Sequence, residues 1–330
     1  MNGASVAVVV CAYTDDRWDV LQHAYESLLR QTRSITEIVV VIDHNPSLLE
    51  RARARFDRAL VVPNERERGL SGARNTGIDA TTSAQVLFLD DDAEAEAGWA
   101  AALSDVLGRA DVVGVGGVAV PRWPAAGRPS WFPEPFLWVV GCSYEGLPRT
   151  EQDVRNPIGA SMGFRREALA LAGGFSSRIG RVGRHPVGCE ETELSIRVRQ
   201  ADPAARVVHV PGAVVHHTVS DARVTTSYFV RRCWWEGRSK AIVSATVGRH
   251  DSLSAETGYV RSVLPRAAAR GLHQLLAGDR TAAARTAALV IGLAVTVAGY
   301  VRGASEIARR RRSPKQGASG AGGPAPLVAR

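Results

Sequence analysis

An α/β fold with a doubly wound sheet is what this sequence predicts, on three observations. Short β-branched runs recur at residues 6–10, 38–42, 59–62 and 86–89, continuously apolar as strands covered on both faces are. Helical periodicity separates the first three runs, giving βαβαβ within about sixty residues. The runs also end on polar groups, at Tyr13, Asp43 and Asp90-Asp91-Asp92. In open α/β sheets ligands lie beyond the carboxyl ends of the strands.

Taken in order, the first run is broken by Ala12-Tyr13-Thr14, and Asp15 and Asp16 supply capping groups. Leu21, Ala24, Tyr25 and Leu28 then recur at helical spacing, which predicts an amphipathic helix over 18–31. Ser47 is placed to cap a short helix ending near Phe56. Residues 69–77 are rich in small side chains that let backbone approach closely, and Arg74 within them is positioned to reach a phosphate. No Gly-Lys-Ser/Thr follows, so this is no Walker A loop. Residues 114–119 fit a loose dinucleotide spacing, but Pro121 and Trp123 stand where a helix would have to open. The segment 95–107 reads as helix and 112–120 as strand.

Between residues 121 and 157 prolines exclude long regular elements, and the aromatics Trp123, Trp131, Phe132, Phe136 and Trp138 are expected to anchor the loop on the core. A short helix ends at Gly173-Gly174, and Glu190-Glu191 opens a helix through Gln200. Strand-like residues 206–210 and 213–215 follow, then His216-His217, a pair of reasonable metal ligands beside carboxylates.

Length and composition set bounds. A chain of 330 residues buries a substantial core, and its apolar and charged fractions exclude wholesale disorder. The formal charge of +8 points to an anionic partner. Cys11, Cys142, Cys189 and Cys233 lack any CxxC spacing and read as reduced thiols of a cytosolic protein. No basic n-region or cleavage site precedes Val6, so no signal peptide is expected.

The Asp triplet is the chemical centre. Alone it reads as a solvated acidic turn; closing a buried strand, three like charges cost several kcal/mol unless a cation joins them. Hard carboxylate oxygens suit Mg²⁺ or Mn²⁺ carried with substrate phosphates.

The opening strand with Tyr13, the second strand with Asp43, residues 69–77, Phe88-Leu89-Asp90-Asp91-Asp92, the region 159–163 with Gly173-Gly174-Phe175, and Glu190-Glu191-Thr192-Glu193-Leu194 come in an order that resembles the inverting family-2 glycosyltransferases. The resemblance covers residues 5–220 and implies the GT-A fold of nucleotide-diphospho-sugar transferases, with a mixed sheet. It also implies roles. Ala12, Tyr13, Asp43, Arg74, Asp90 and Asp91 would form the nucleotide-sugar side, with Asp91 turned away from the metal. Asp92 would hold a divalent cation (Mn²⁺ or Mg²⁺), with His217 completing its shell and His216 less suited. Glu191 aligns with the catalytic base where the family usually shows Glu-Asp; Glu190 is the other candidate. The implied reaction moves a sugar, with inversion, from a nucleotide-diphosphate donor, UDP most commonly, to a hydroxyl of a glycan, lipid-linked saccharide or polysaccharide precursor.

The domains read as a catalytic unit over 1–222, divided near 120 into nucleotide-sugar and acceptor halves, a helical extension over 223–305, and a basic, disordered tail over 306–330. Residues 227–247 interleave aromatics with cations, which suits a membrane interface, a lipid-diphosphate acceptor, or a helix packed on the catalytic unit with an exposed basic face. The run around Glu236-Gly237-Arg238-Ser239-Lys240 resembles a subset acting on lipid-linked glycans or exopolysaccharide. Residues 286–301 are uncharged and fall just short of the ~20 a spanning helix needs. Basic flanks on both sides favour a helix lying at the cytoplasmic membrane face, or docked on another subunit. Two other readings are a non-catalytic sugar-nucleotide binder and a basic nucleic-acid-binding protein. The latter leaves the strand-end carboxylates unexplained, and no nucleic-acid partner is expected.

Overall fold

Strand β1 (Val6–Ala12) is buried on both faces and sits at the point where the chain reverses its direction of travel across the sheet. It pairs in parallel with β2 (Glu37–Ile42) on one side and with β4 (Gln85–Asp90) on the other, and β2 pairs with β3 (Leu60–Pro63). The computed structural model describes residues 4–180 and 187–312. Beyond β4 the sheet turns mixed: β8 (Ser161–Arg165) runs antiparallel between β4 and β6 (Val112–Arg122), and β9 (Arg206–Thr218) runs parallel to β6. Two short strands, β5 (Ala93–Ala95) and β7 (Gln152–Asp153), pair antiparallel with β9. The order is β3-β2-β1-β4-β8-β6-β9-β5, so the crevice outside β1 and β4 is a topological switch point.

Helices α1 (Trp18–Leu29), α2 (Pro46–Arg55), α3 (Leu70–Asp79), α4 (Trp99–Leu107), α5 (Arg166–Ala172) and α6 (Glu190–Ala201) accompany the sheet. Alternation along β1 shows how both faces are used. Val6, Val8 and Val10 join one core with Leu21, Tyr25 and Trp99, while Val9 joins another with Phe88, Phe164 and Leu194. Several expected boundaries shift. Asn45, not Ser47, caps α2 by accepting from Leu48 N at 3.1 Å. Residues 161–165 form a strand that the small residues around Gly159 and Gly163 hid. His216 and His217 belong to β9 rather than following it. Residues 69–77 make α3 and pack tightly: a Cβ on Gly77 would stand 2.3 Å from a Val9 methyl.

The C-terminal part is helical: α7 (Thr226–Val247), α8 (Arg249–Gly258), a π-helical turn over Tyr259–Val263, α9 (Leu264–Leu276) and α10 (Thr281–Arg312). A third core joins it to the proline-rich loop: Phe132 and Phe136 close on Phe229 of α7, with ring centroids 5.6 and 5.4 Å apart. The loop aromatics therefore do act as anchors, and what they hold is the helical extension.

The segment at 286–301 is the middle of α10, which packs within its own chain along α7. Contact is close because a Cβ on Gly237 of α7 would lie 2.0 Å from Thr296 O, and one on Gly299 of α10 2.3 Å from Trp234 O. α10 runs on through Arg312, so residues 306–312, assigned above to the tail, are helical; the rest of that tail, 313–330, lies outside the described residues. By length and composition α10 is apolar enough to cross a membrane. Its outer face keeps Val290, Ile291, Val297 and Val301 exposed.

Candidate active site

The buried run of β4 delivers Asp90 to the sheet's edge, and a tight turn through Asp91 and Asp92 leads into β5. β5 pairs Ala93 with His217 of β9, and Thr218 N donates to Asp92 O at 2.8 Å. This pairing brings His217 Nε2 to 3.1 Å from Asp92 Oδ1. Asp90, Asp92 and His217 each offer a ligand atom, all within 4.8 Å of one another, and form a group able to hold a metal ion. Two carboxylates with one imidazole suit a divalent cation such as Mn²⁺. The imidazole is firmly seated, for a Cβ on Gly141 would stand 3.1 Å from its Nε2. Donor set and seating both fit a bound cation.

Asp91 and Asp92 are buried, and Asp90 is half-buried. Arg17 Nη1 lies 2.8 Å from Asp91 Oδ1 and 3.2 Å from Asp92 Oδ2, and Arg223 Nη2 donates to Asp92 Oδ2 at 3.0 Å. Burial alone would raise Asp92, but His217, Arg223 and Arg17 together hold it well below the usual carboxylate range. Asp91 goes the other way: burial pushes it up to about 6 against the pull of Arg17, with Asp92 and Asp90 adding repulsion. Its Oδ2 is buried with no hydrogen-bond partner among the described residues. His217 loses solvent, which disfavours its charge, yet Asp92 pushes it up to about 10.

Across the crevice α6 opens with Glu190. The residue before it, Cys189, has φ of 73°, one of two non-glycine residues with positive φ among those described; the other, His44, follows Asp43. Such backbone strain is tolerated where the surroundings over-determine it. Here α7 supplies them. Cys189 Sγ donates to Glu236 Oε1 at 3.3 Å, Gly188 N donates to Ser239 Oγ at 3.2 Å, and Glu236 is itself held by Arg232 at 2.8 Å and Lys240 at 3.1 Å. Burial opposes the Glu236 charge, but Lys240 and Arg232 bring it down to about 2. Lys240 continues to Glu256, which also pairs with Arg155. The cations Arg232 and Lys240 thus face inward, and of the basic face allowed for this helix Arg231 is left exposed.

Arg74 joins the two halves of the site. Its guanidinium is only 2 % exposed, donates to Glu190 Oε1 at 2.8 Å and Asp90 Oδ1 at 3.3 Å, and also reaches Gly159 O. Phe88 and Phe175 flank it. Both ends of the fork are thus committed to protein acceptors. Glu190 Oε2 is left without a partner among the described residues. Glu191 is half-buried and makes no ion pair among them; burial and the adjacent Glu190 push its carboxyl up to about 7.

On the far side of the crevice, Asp43 Oδ1 accepts from Asn64 Nδ2 at 2.7 Å and lies 2.8 Å from His44 Nδ1, while its Oδ2 accepts from Gly69 N at 3.0 Å. Ala12 O accepts from Asp43 N at 2.7 Å, and Tyr13 stacks with Arg17 at 5.6 Å.

Residues 7–171 match the family model for glycosyl transferase family 2. The chain belongs to glycosyl transferase family 2. A glucosyl-dolichyl phosphate glucuronosyltransferase of Haloferax volcanii is 34 % identical over 242 residues, 72 % of this chain and 77 % of that protein. Among solved structures, the mannosyltransferase PcManGT of Pyrobaculum calidifontis, in complex with GDP-Man and Mn²⁺, superposes with a TM-score of 0.56 at 18 % identity, covering 91 % of this chain and 88 % of that one. GalNAc-T7 with UDP, GalNAc and Mn²⁺ gives 0.52 at 17 % identity, covering 73 % of this chain but half of that one. At such identities the likeness shows the fold, which is GT-A.

Ala12, Tyr13, Asp43 and Asp90, Asp91 and Asp92 lie at the carboxyl ends of β1, β2 and β4; Arg74 links Asp90 to Glu190, His217 reaches Asp92, and Glu191 follows Glu190 in the first turn of α6. His216 turns elsewhere, to Glu96. Sequence reasoning missed Arg17, Asn64, Arg223 and Glu236. Asn64 follows directly on β3 and was findable as a strand-end polar residue; Arg17 and Arg223 sit in short turns with no spacing signal.

Proposed function

We propose that this glycosyltransferase moves a sugar, with inversion, from a nucleoside-diphosphate donor to a hydroxyl of a lipid-linked saccharide, with Glu191 as the general base. The carrying observation is the Arg74 bridge. It commits Glu190 to an ion pair and leaves the neighbouring Glu191 without one among the described residues, its carboxyl pushed up to about 7 by burial and by Glu190. A base is most effective when its pKa lies near the working pH. A divalent cation held by Asp90, Asp92 and His217 would supply charge neutralisation to the departing diphosphate.

The remaining residues have defined tasks. Asp43, oriented by Asn64 and Gly69 N, accepts a hydroxyl of the donor's nucleoside. Arg17 and Arg223 keep the buried carboxylates ionised and place positive charge beside the diphosphate. Arg74 and Glu190 fix the separation of base and metal ligands, and Glu191 takes the acceptor's proton as the hydroxyl attacks the anomeric carbon. A lipid-linked saccharide as acceptor draws support from the Haloferax relative, whose name specifies a glucosyl-dolichyl phosphate substrate. The exposed apolar stripe of α10, ending in Arg309, Arg310, Arg311 and Arg312, supports placement at the cytoplasmic face of a membrane.

The stereochemistry of the product tests the reading. With Mn²⁺ and an α-linked nucleotide sugar, proton NMR should show a β-linked product, and none when EDTA replaces the metal. An α-linked product would refute the role given to Glu191.

A further inference from the structure

Between α7 and α10 lies an open cleft of ≈ 650 Å³ whose walls are Val230 and Trp234 of α7 and Val295 and Ala298 of α10. Its size is that of a ligand site. We propose that this cleft seats the apolar chain of a lipid-linked acceptor, with Arg231 at its mouth binding the lipid phosphate. The proposal rests on the transferase reading above and adds the place where the acceptor's lipid is held.

Three observations point to that occupant. The cleft opens close to the reacting centre: Arg223 is bonded to Asp92 at 3.0 Å, and Thr226 and Ser227, which line the cleft's end, follow it by three and four residues. At no more than ~3.6 Å per residue, Thr226 lies within about 11 Å of Arg223 along the chain. A phosphate at this end leaves room for a sugar to reach the metal-ligand group.

The second observation is charge. Arg231 is exposed, stacks on Tyr228 at 5.6 Å, and has no carboxylate partner among the described residues. Arg232, Arg238 and Lys240 on the same helix are all ion-paired. A guanidinium left free at the mouth of an apolar cleft suits a phosphate ester of an apolar alcohol.

The third is continuity of apolar surface. Val230 is 41 % exposed in the cleft wall, and on α10 Ala298 adjoins Val297 and Val301, which belong to the exposed stripe. A chain lying in the cleft therefore passes onto the face expected to meet lipid, without crossing polar surface.

The test is direct binding of fluorescently labelled farnesyl phosphate and labelled farnesol to the full chain, in detergent and without donor. Wild type should bind farnesyl phosphate saturably. Ala298→Trp, which fills the cleft, and Val230→Glu, which charges its exposed wall, should each weaken binding tenfold or more. Arg231→Gln should weaken the phosphate severalfold and leave farnesol unchanged. Absence of saturable binding by wild type overturns the proposal, as does unchanged binding by both cleft variants. The same proteins should keep a Mn²⁺-dependent thermal shift with nucleotide sugars; its absence from wild type would count against the transferase reading, independently of where lipid binds.

Discussion

Replacing Glu191 by Gln removes the proposed base while keeping its size, and the structure assigns it two effects of opposite sign. Burial and Glu190 hold the carboxyl at about 7 against an ordinary value of 4.5. In the unfolded chain the proton leaves near 4.5, so between there and about 7 the folded protein binds more protons, and stability falls as pH rises through that window. Above pH 7 the full penalty is present; by the shift it is at most about 3 kcal/mol, and less because part of the side chain meets solvent. Glu191→Gln lifts that penalty. In urea at pH 8 the variant should be more stable than wild type by about 1–3 kcal/mol, with the gain vanishing by pH 4.5. In the transfer assay it should be inactive while still binding nucleotide sugar. Wild-type kcat should climb about tenfold from pH 6 to pH 8, following the ionised fraction of a base titrating near 7. A variant that is less stable than wild type at pH 8, or one that turns over fully, would refute the reasoning.

Other perturbations probe the supports of that base. Arg74→Met leaves the buried Glu190 and the half-buried Asp90 without their shared cation, so urea unfolding should report a loss of about 3–5 kcal/mol at neutral pH. Glu236→Gln removes a charge that helps raise Glu191, so the acid limb of the kcat profile should move to lower pH; an unmoved limb would separate the α7 network from the base. Gly237→Ala places a methyl 2.0 Å from Thr296 O, which forces α7 and α10 apart, and scanning calorimetry should register a loss of about 1–3 kcal/mol.

Much of the catalytic half was legible because local pattern and tertiary role agree there. β1, β2 and β4 are buried on both faces, so their apolar runs are uninterrupted, and the residues that end them face the switch-point crevice. The mixed half was less legible. β8 pairs with two neighbours through Met162-Gly163-Phe164, where Gly163 is demanded by Leu87, whose Cδ2 would lie 2.3 Å from a Cβ. Small residues chosen for close approach erase the strand signal. β9 was split in two by Pro211-Gly212, a break the sheet absorbs with a register shift between β6 and β9.

In the site, residue types were readable but their commitments were not. Arg74 carries no mark in the sequence that its partners are Glu190 and Asp90, since 116 and 16 positions separate them. Arg17 and Arg223 likewise meet the Asp triplet only through the fold. The three aspartates looked alike in sequence; three cations around Asp92 and a single one at Asp91 set them apart.

The most direct test of the central claim is a thermal-shift panel of UDP-, GDP- and dTDP-sugars against wild type and Asp92→Ala, with Mn²⁺ and with EDTA. At 100-fold over Kd a bound donor stabilises the folded state by about 2.7 kcal/mol. One donor should raise Tm of wild type with Mn²⁺, and the shift should disappear with EDTA and in Asp92→Ala. A donor shift of equal size in EDTA, or in Asp92→Ala with Mn²⁺, would contradict that claim.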